Sequence, residues 1–155
     1  MPQEAIYLTE EGTAKLQTEL DHLRNVRRSE VAARIQRAKD LESTVNNAEY
    51  DDAKNEQAFI EGRILHLETT FKNATVVHTE LHASKVEIGC TVIVSTPDGG
   101  TDTYTIVGSE EADAVHGRIS YGSPVGKALL GRRIGDDVRV STPAGVTKLK
   151  IKKIN

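Results

Sequence analysis

Residues 9–40 contain no proline and one glycine, and their apolar side chains recur at Leu16, Leu20, Leu23, Val31, Ile35 and Ala38. Steps of three, four and their multiples place these residues along one stripe of an α-helix. Thr9 is suited to accept the free N–H groups of the first turn, and Glu10 and Glu11 suit the positive end of the helix dipole. A second series, Ala53, Ile60, Ile64, Leu67 and Phe71, predicts another helix starting near Asn47, where Asn46 and Glu49 have capping-box spacing. Each stripe is narrow, so neither helix is stable alone, and the short connection favours antiparallel pairing. The expected first half is therefore a coiled-coil hairpin. At 1.5 Å per residue, a helix of about 30 residues reaches roughly 45 Å. Its tip is the carboxylate-rich stretch DLESTVNNAEYDDA, Asp40 to Ala53.

After Asn73 the period changes. β-Branched runs flank PDGG in CTVIVSTPDGGTDTYTIVG and TPAG in DVRVSTPAGVTKLKIKKI, which are hairpin signals. Between them, SPVGKALLGRRIGD offers Ser123 as a cap, Pro124 at the first helical position and Gly131 as a stop. The expected fold is α+β: an arm over residues 1–75, a linker over 76–83, and an antiparallel sheet with one small helix over 84–155. With aromatics at 4% and no Trp, the core must be built from aliphatic side chains. The formal net charge of −3 argues against a protein that coats nucleic acid, since such proteins carry a clear basic excess. The single cysteine, Cys90, excludes an internal disulfide and suits a small buried residue in a reducing compartment. No apolar run approaches the roughly 18 residues of a membrane span, and a soluble intracellular protein is expected. His78 and His82 lie four apart but have no third ligand at persuasive spacing, so no metal site is expected there.

NAEYDDAKNEQAFIEGRI, Asn47 to Ile64, resembles the second arm helix of the bacterial Gre transcript-cleavage factors. YLTEEGTAKLQTELDHL resembles that family's first helix, VGSEEAD its acidic loop, and ISYGSPVGKALLGRRIGD its C-terminal signature. The match runs in order over nearly the whole chain. The resemblance implies a coiled-coil arm and a globular domain of FKBP-like fold that docks on the rim of RNA polymerase's secondary channel. It also implies that the arm enters the channel, where two tip carboxylates help hold the second Mg²⁺ and orient water, so that the polymerase cuts backtracked RNA. The chain would then be an accessory factor rather than an enzyme. It would have no cofactor of its own beyond the Mg²⁺ of the polymerase, and it would act as a monomer in the bacterial cytoplasm.

The tip departs from the family pattern D-L-x-E-N-x-E-Y. Counted back from NAEY, the Asp position is Ser43 and the Glu position is Asn46. Both are neutral, and neither brings the charge that recruits a weakly held Mg²⁺. Stimulated cleavage should be weak or lost, or the chain should be a non-cleaving homologue that modulates or inhibits the polymerase. Asp40, Glu42 and Glu49 are possible substitutes; Glu49, Asp51 and Asp52 are equally suited to a helix N-terminus.

The resemblance also places the polymerase-binding surface at Asp113, Ile119, Ser120, Ser123, Pro124, Val125 and Gly126, against the plainer reading of simple helix initiation. It places an RNA-proximal basic patch at Arg24, Arg27, Arg28, Arg34, Arg37 and Lys39, facing the nascent RNA 3′ segment; the competing reading is a solvated charged face. From other classes, a prolyl isomerase would need an aromatic-lined pocket, and only Tyr104 and Tyr121 are available beyond residue 84. A coiled-coil chaperone or adaptor would leave the C-terminal motifs without a purpose.

Overall fold

A computed structural model describes residues 5–40, 47–79 and 83–155. Two compact units emerge from the packing: residues 14–73, and residues 1–13 together with 74–155. The sequence pattern predicts an arm over 1–75 and a linker over 76–83. In the structure a strand at the start of the chain and another at the end of the arm pair with each other, and both belong to the sheet-bearing unit. The expected linker thus begins inside a strand.

The helical path starts with α1 (Glu10–His22), continues through a π turn (Leu23–Arg27) into α2 (Arg28–Asp40), and returns in α3 (Ala48–Asn73). Within the helical unit, Leu16, Leu20, Leu23, Val31, Ile35 and Ala38 are buried against Ala53, Ile60, Ile64, Leu67 and Thr70. Phe71, expected in the stripe, is only half-buried, and Thr70 takes the interior place.

The π turn has a physical cause. From Leu23 the seam continues through Arg27 to Val31, two successive steps of four. Each step overshoots a full turn by about 40° at 100° per residue. The wider π turn, closed by Arg28 N–H to the Leu23 carbonyl, absorbs the overshoot and returns Val31 to the interior. The seam position at its end is held by the half-buried Arg27 rather than by an apolar residue.

In the other unit, β1 (Ile6–Thr9) and β2 (Ala74–Val77) form a two-stranded parallel pair, with Ile6 opposite Ala74 and Thr9 opposite Val77. A five-stranded sheet contains β3 (Thr91–Ser95), β4 (Thr101–Val107), β5 (Arg118–Ser120), β6 (Asp137–Thr142) and β7 (Gly145–Ile154), in the order β5-β4-β3-β7-β6. All its pairings are antiparallel except β4 with β5.

The two turn signals behave as expected. Thr96 N–H reaches the Gly100 carbonyl across PDGG at 2.9 Å, and Gly145 closes the second hairpin at φ 122°, a conformation glycine tolerates best. The short helix α4 (Pro124–Leu129) packs Leu129 into a core of Val86, Cys90, Val92, Val94, Ile106 and the inward residues of β6 and β7. Cys90 is buried at the residue before β3, where low polarity pushes its thiol pKa up. Among the described residues no helix is long and apolar enough to cross a membrane.

Candidate functional site

The tip of the arm is described up to Asp40 and again from Asn47; Glu42, Ser43 and Asn46 lie outside the described residues. Its base is closed by Asn47. This side chain accepts from Tyr50 N–H at 3.0 Å, capping α3, and donates to the Ala38 carbonyl at 2.7 Å, satisfying a free acceptor near the end of α2. The cap therefore stands one residue later than the capping box expected from Asn46 and Glu49, because α3 begins at Ala48. Glu49 instead accepts a hydrogen bond from Arg34 Nε at 2.6 Å, which lowers its carboxyl pKa. Asp40 accepts from Gln36 at 3.1 Å. Of the three substitute acids, the two described are thus both engaged locally.

The basic run does not stand free. Arg24 pairs with Glu68, Arg27 with Glu30 and Glu56, Arg28 with Glu61, and Arg34 with Glu49 and Glu56. From Arg24 in the π turn to Arg34 in α2 the partners run backward along α3 overall, from Glu68 to Glu49, as in an antiparallel ladder. Glu56 is its centre: it takes hydrogen bonds from both Arg34 and Arg27, which lower its pKa, while Glu30 with Glu56 raises that of Arg27 and Glu49 with Glu56 that of Arg34. Glu19 and Arg63 add a bidentate pair at 2.7 and 3.0 Å. Among the described residues, Arg37 and Lys39 have no ion-pair partner.

In the sheet-bearing unit the candidate surface runs from the SEEAD loop to α4. Asp113 exchanges backbone hydrogen bonds with Arg118 at 2.8 and 2.9 Å, and its carboxylate meets His116 Nδ1 at 2.6 Å, which holds its pKa below the usual range. Between them Val115 is 91% exposed. Ser123 caps α4 by accepting from Gly126 N–H at 3.0 Å, and its hydroxyl donates to the Ser120 carbonyl at 2.7 Å. Ser120 Oγ meets Ser109 Oγ at 3.0 Å and accepts from Gly122 N–H. Gly126 is buried, and a Cβ there would lie well under 3.0 Å from the Ser120 carbonyl oxygen, so the position excludes any side chain. Ile119 and Val125 are half-buried against the core, and Pro124 is exposed.

Glu111 is a structural residue that the sequence reading missed. Its side chain is 3% exposed and accepts from Thr9 N–H at 2.9 Å, Gly108 N–H at 3.0 Å and the Thr9 hydroxyl. That hydroxyl in turn accepts from Gly12 N–H at 3.0 Å. Gly12 is required because a Cβ would overlap the Glu111 carboxylate. The contact joins residues 102 apart, which no local periodicity reveals; the glycine in the first turn of an otherwise glycine-free helical run was the available signal. Tyr121 is also committed: its ring meets Tyr7 edge-on at 5.6 Å, and its hydroxyl donates to the Ala5 carbonyl at 3.0 Å. His78 pairs with Glu10, and His82 lies outside the described residues, among which no three His, Cys, Asp or Glu side chains cluster as metal ligands.

Comparison with known proteins matches residues 6–76 to the family described as transcription elongation factor, N-terminal, and residues 81–155 to transcription elongation factor, GreA/GreB, C-term. A protein of Thermoanaerobacter pseudethanolicus named transcription elongation factor GreA is 51% identical over 151 residues, covering 96% of each chain. A Bacillus subtilis protein of the same name is 45% identical over the whole of both chains. Among solved structures, GreA factor homolog 1 of Thermus thermophilus matches at 29% identity and a TM-score of 0.46, covering 98% of this chain and 99% of the other.

Proposed function

Because the chain belongs to the GreA/GreB family of transcription elongation factors, we propose that it binds RNA polymerase and modulates it without efficiently stimulating RNA cleavage. In this reading the surface around Asp113, Ser120, Ser123, Pro124 and Val125 contacts the rim of the secondary channel. The helical arm enters the channel as a monomeric, non-catalytic accessory in the bacterial cytoplasm. The observation that carries it is the neutral pair Ser43 and Asn46 at the two positions where the family places its carboxylates.

A two-metal phosphodiester cut needs negative charge to retain the weakly held Mg²⁺ and a group to position water. A hydroxyl and an amide offer oxygen but no charge. Neighbouring acids compensate poorly, since Glu49 is bonded to Arg34 and Asp40 to Gln36. Any metal ions in the reaction would be those of the polymerase, and the cut would be made by its active site. The arm's cations lend little to an RNA-binding role, because Arg24, Arg27, Arg28 and Arg34 are already matched by glutamates; Arg37 and Lys39 are the two that could face RNA.

The test is a backtracked elongation complex with purified polymerase and Mg²⁺. The protein as it stands should bind the polymerase and shorten the RNA slowly, and the Ser43→Asp/Asn46→Glu variant should restore rapid shortening. Efficient cleavage by the unaltered protein would refute the reading of the tip; failure to bind core polymerase would refute the whole assignment.

A further inference from the structure

We propose that the outer face of the β6–β7 hairpin is a binding surface for the phosphodiester backbone of nucleic acid. Val138 and Val140 on β6 and Leu149 and Ile151 on β7 point into the core, so the alternation of strand side chains turns Arg139, Lys148 and Lys150 outward. β7 carries a register shift opposite Ile93 and Val94. The extra residue leaves both Lys152 and Lys153 exposed before Ile154 returns to the core. Five cations thus stand on this hairpin against one carboxylate, Asp137, which lies 4.0 Å from Lys148. Among the described residues, no carboxylate pairs with Arg139, Lys150, Lys152 or Lys153.

Two further observations mark the face as more than a solvated strand. Arg139 lies directly opposite Lys148 in the register, an arrangement that costs stability because like charges meet across the strands. In the arm, by contrast, each paired arginine faces a glutamate. Beside this repulsive pair is a cleft of about 280 Å³ whose lining includes Ser95, Asp137, Lys148 and Lys150, which sets a hydroxyl and two ammonium groups around one concavity; the Thr96 hydroxyl that also lines it is given to Asp98. On a chain of net charge −3, unpaired positive charge beside the Ser95 hydroxyl fits an anionic polymer. β3, β6 and β7 contain no aromatic residue, so bases have nothing to stack on, and the contact is to phosphates with little sequence preference. This inference does not depend on how the protein docks on polymerase.

The experiment measures fluorescence anisotropy of a labelled mixed-sequence single-stranded RNA and a labelled DNA duplex, titrated with the full chain between about 50 and 200 mM salt. Lys148→Glu/Lys150→Glu should weaken binding by about tenfold or more. It should also flatten the slope of log affinity against log salt by about 1.8 for duplex or about 1.4 for single strand, as two lost phosphate contacts require. Lys148→Gln/Lys150→Gln should act in the same direction and less strongly, and circular dichroism should show both variants fully folded at the temperature of the titration. Stronger retention of one probe identifies whether duplex or single strand is the better occupant. The proposal is overturned if the unaltered protein binds neither probe at low salt, or if the variants keep the parental affinity and slope. It is also overturned if the variants lose binding to nucleic-acid-free core polymerase instead, which would make the face a protein interface.

Discussion

Gly126→Ala should destabilise the sheet-bearing unit, although alanine is the better helix former. The exchange gains about 1 kcal/mol of helix propensity. Against this, the new methyl would stand well under 3.0 Å from the Ser120 carbonyl oxygen and 3.0 Å from both the Ser120 carbonyl carbon and Ser123 Oγ. The nearest obstacle is backbone, which cannot rotate away as a side chain would. Ser120 is itself fixed by the Ser123 hydroxyl at 2.7 Å and by its place in β5 opposite Val107. Relief must therefore displace α4, which stretches the Ser123 cap and draws Leu129 out of the core. Overpacking of this kind costs about 1–3 kcal/mol, and a lost cap about 1 kcal/mol more. The net loss is about 1–3 kcal/mol, a fall in melting temperature of roughly 5–15 °C for a unit of this size. Near-ultraviolet circular dichroism of the tyrosines follows it, since Tyr7, Tyr104 and Tyr121 all belong to this unit. A melting temperature equal to or above that of the unaltered protein would show that α4 is free to shift, and that its glycine is not dictated by the close approach to Ser120.

Asn47→Ala should cost the arm about 1–2 kcal/mol by removing the cap of α3. Asn47→Asp should cost less, because a carboxylate still accepts from Tyr50 N–H but cannot donate to the Ala38 carbonyl; by far-ultraviolet circular dichroism, equal melting of the two variants would refute the cap, and an Asn47→Asp variant as stable as the parent would refute the bridge to Ala38. The arm should also unfold in acid. Hydrogen bonds from Arg63, Arg34 and Arg28 lower the carboxyl pKa values of Glu19, Glu49, Glu56 and Glu61 below 4.5. Their stabilisation is complete above that value and is lost as pH falls through the lower folded-state values. Arm helicity should therefore be flat from about pH 6 to 8 and fall below about 4.5; a loss centred near neutrality would point to histidine instead.

The arm was legible because its apolar stripe obeys one period, and both hairpins because PDGG and TPAG demand turns. Other features were hidden for particular reasons. β1 and β2 are four-residue strands that pair in parallel across a gap of more than 60 residues, and their short apolar runs look like the flanks of helices. The π turn follows from the phase drift at Arg27, which a search for apolar residues passes over because the seam position is charged. Glu111 lies inside the SEEAD motif beside Asp113, and an acid accepting two hydrogen bonds from Thr9, far upstream, and one from nearby Gly108 looks no different in sequence from a solvated one. At α4 the matched residues divide by role: Ser120, Ser123 and Gly126 hold the helix in place, while Pro124 stays exposed.

Charge shows the same limit from the opposite direction. Six cations along the π turn and α2 resemble a binding patch when one helix is read alone, but α3 returns beside them with Glu49, Glu56, Glu61 and Glu68, and the field they project is largely cancelled. The KLKIKK run of β7 looks like an ordinary amphipathic edge, with polar residues outward and apolar residues inward. Its neighbour β6, however, places Arg139 opposite Lys148 and only Asp137 opposite Lys150, so the positive field survives pairing. The charge an element offers to a partner is what remains after its packed neighbours are counted. On that count the surplus positive charge of this chain lies on the sheet rather than on the arm, and a phosphate-bearing partner should be sought there first.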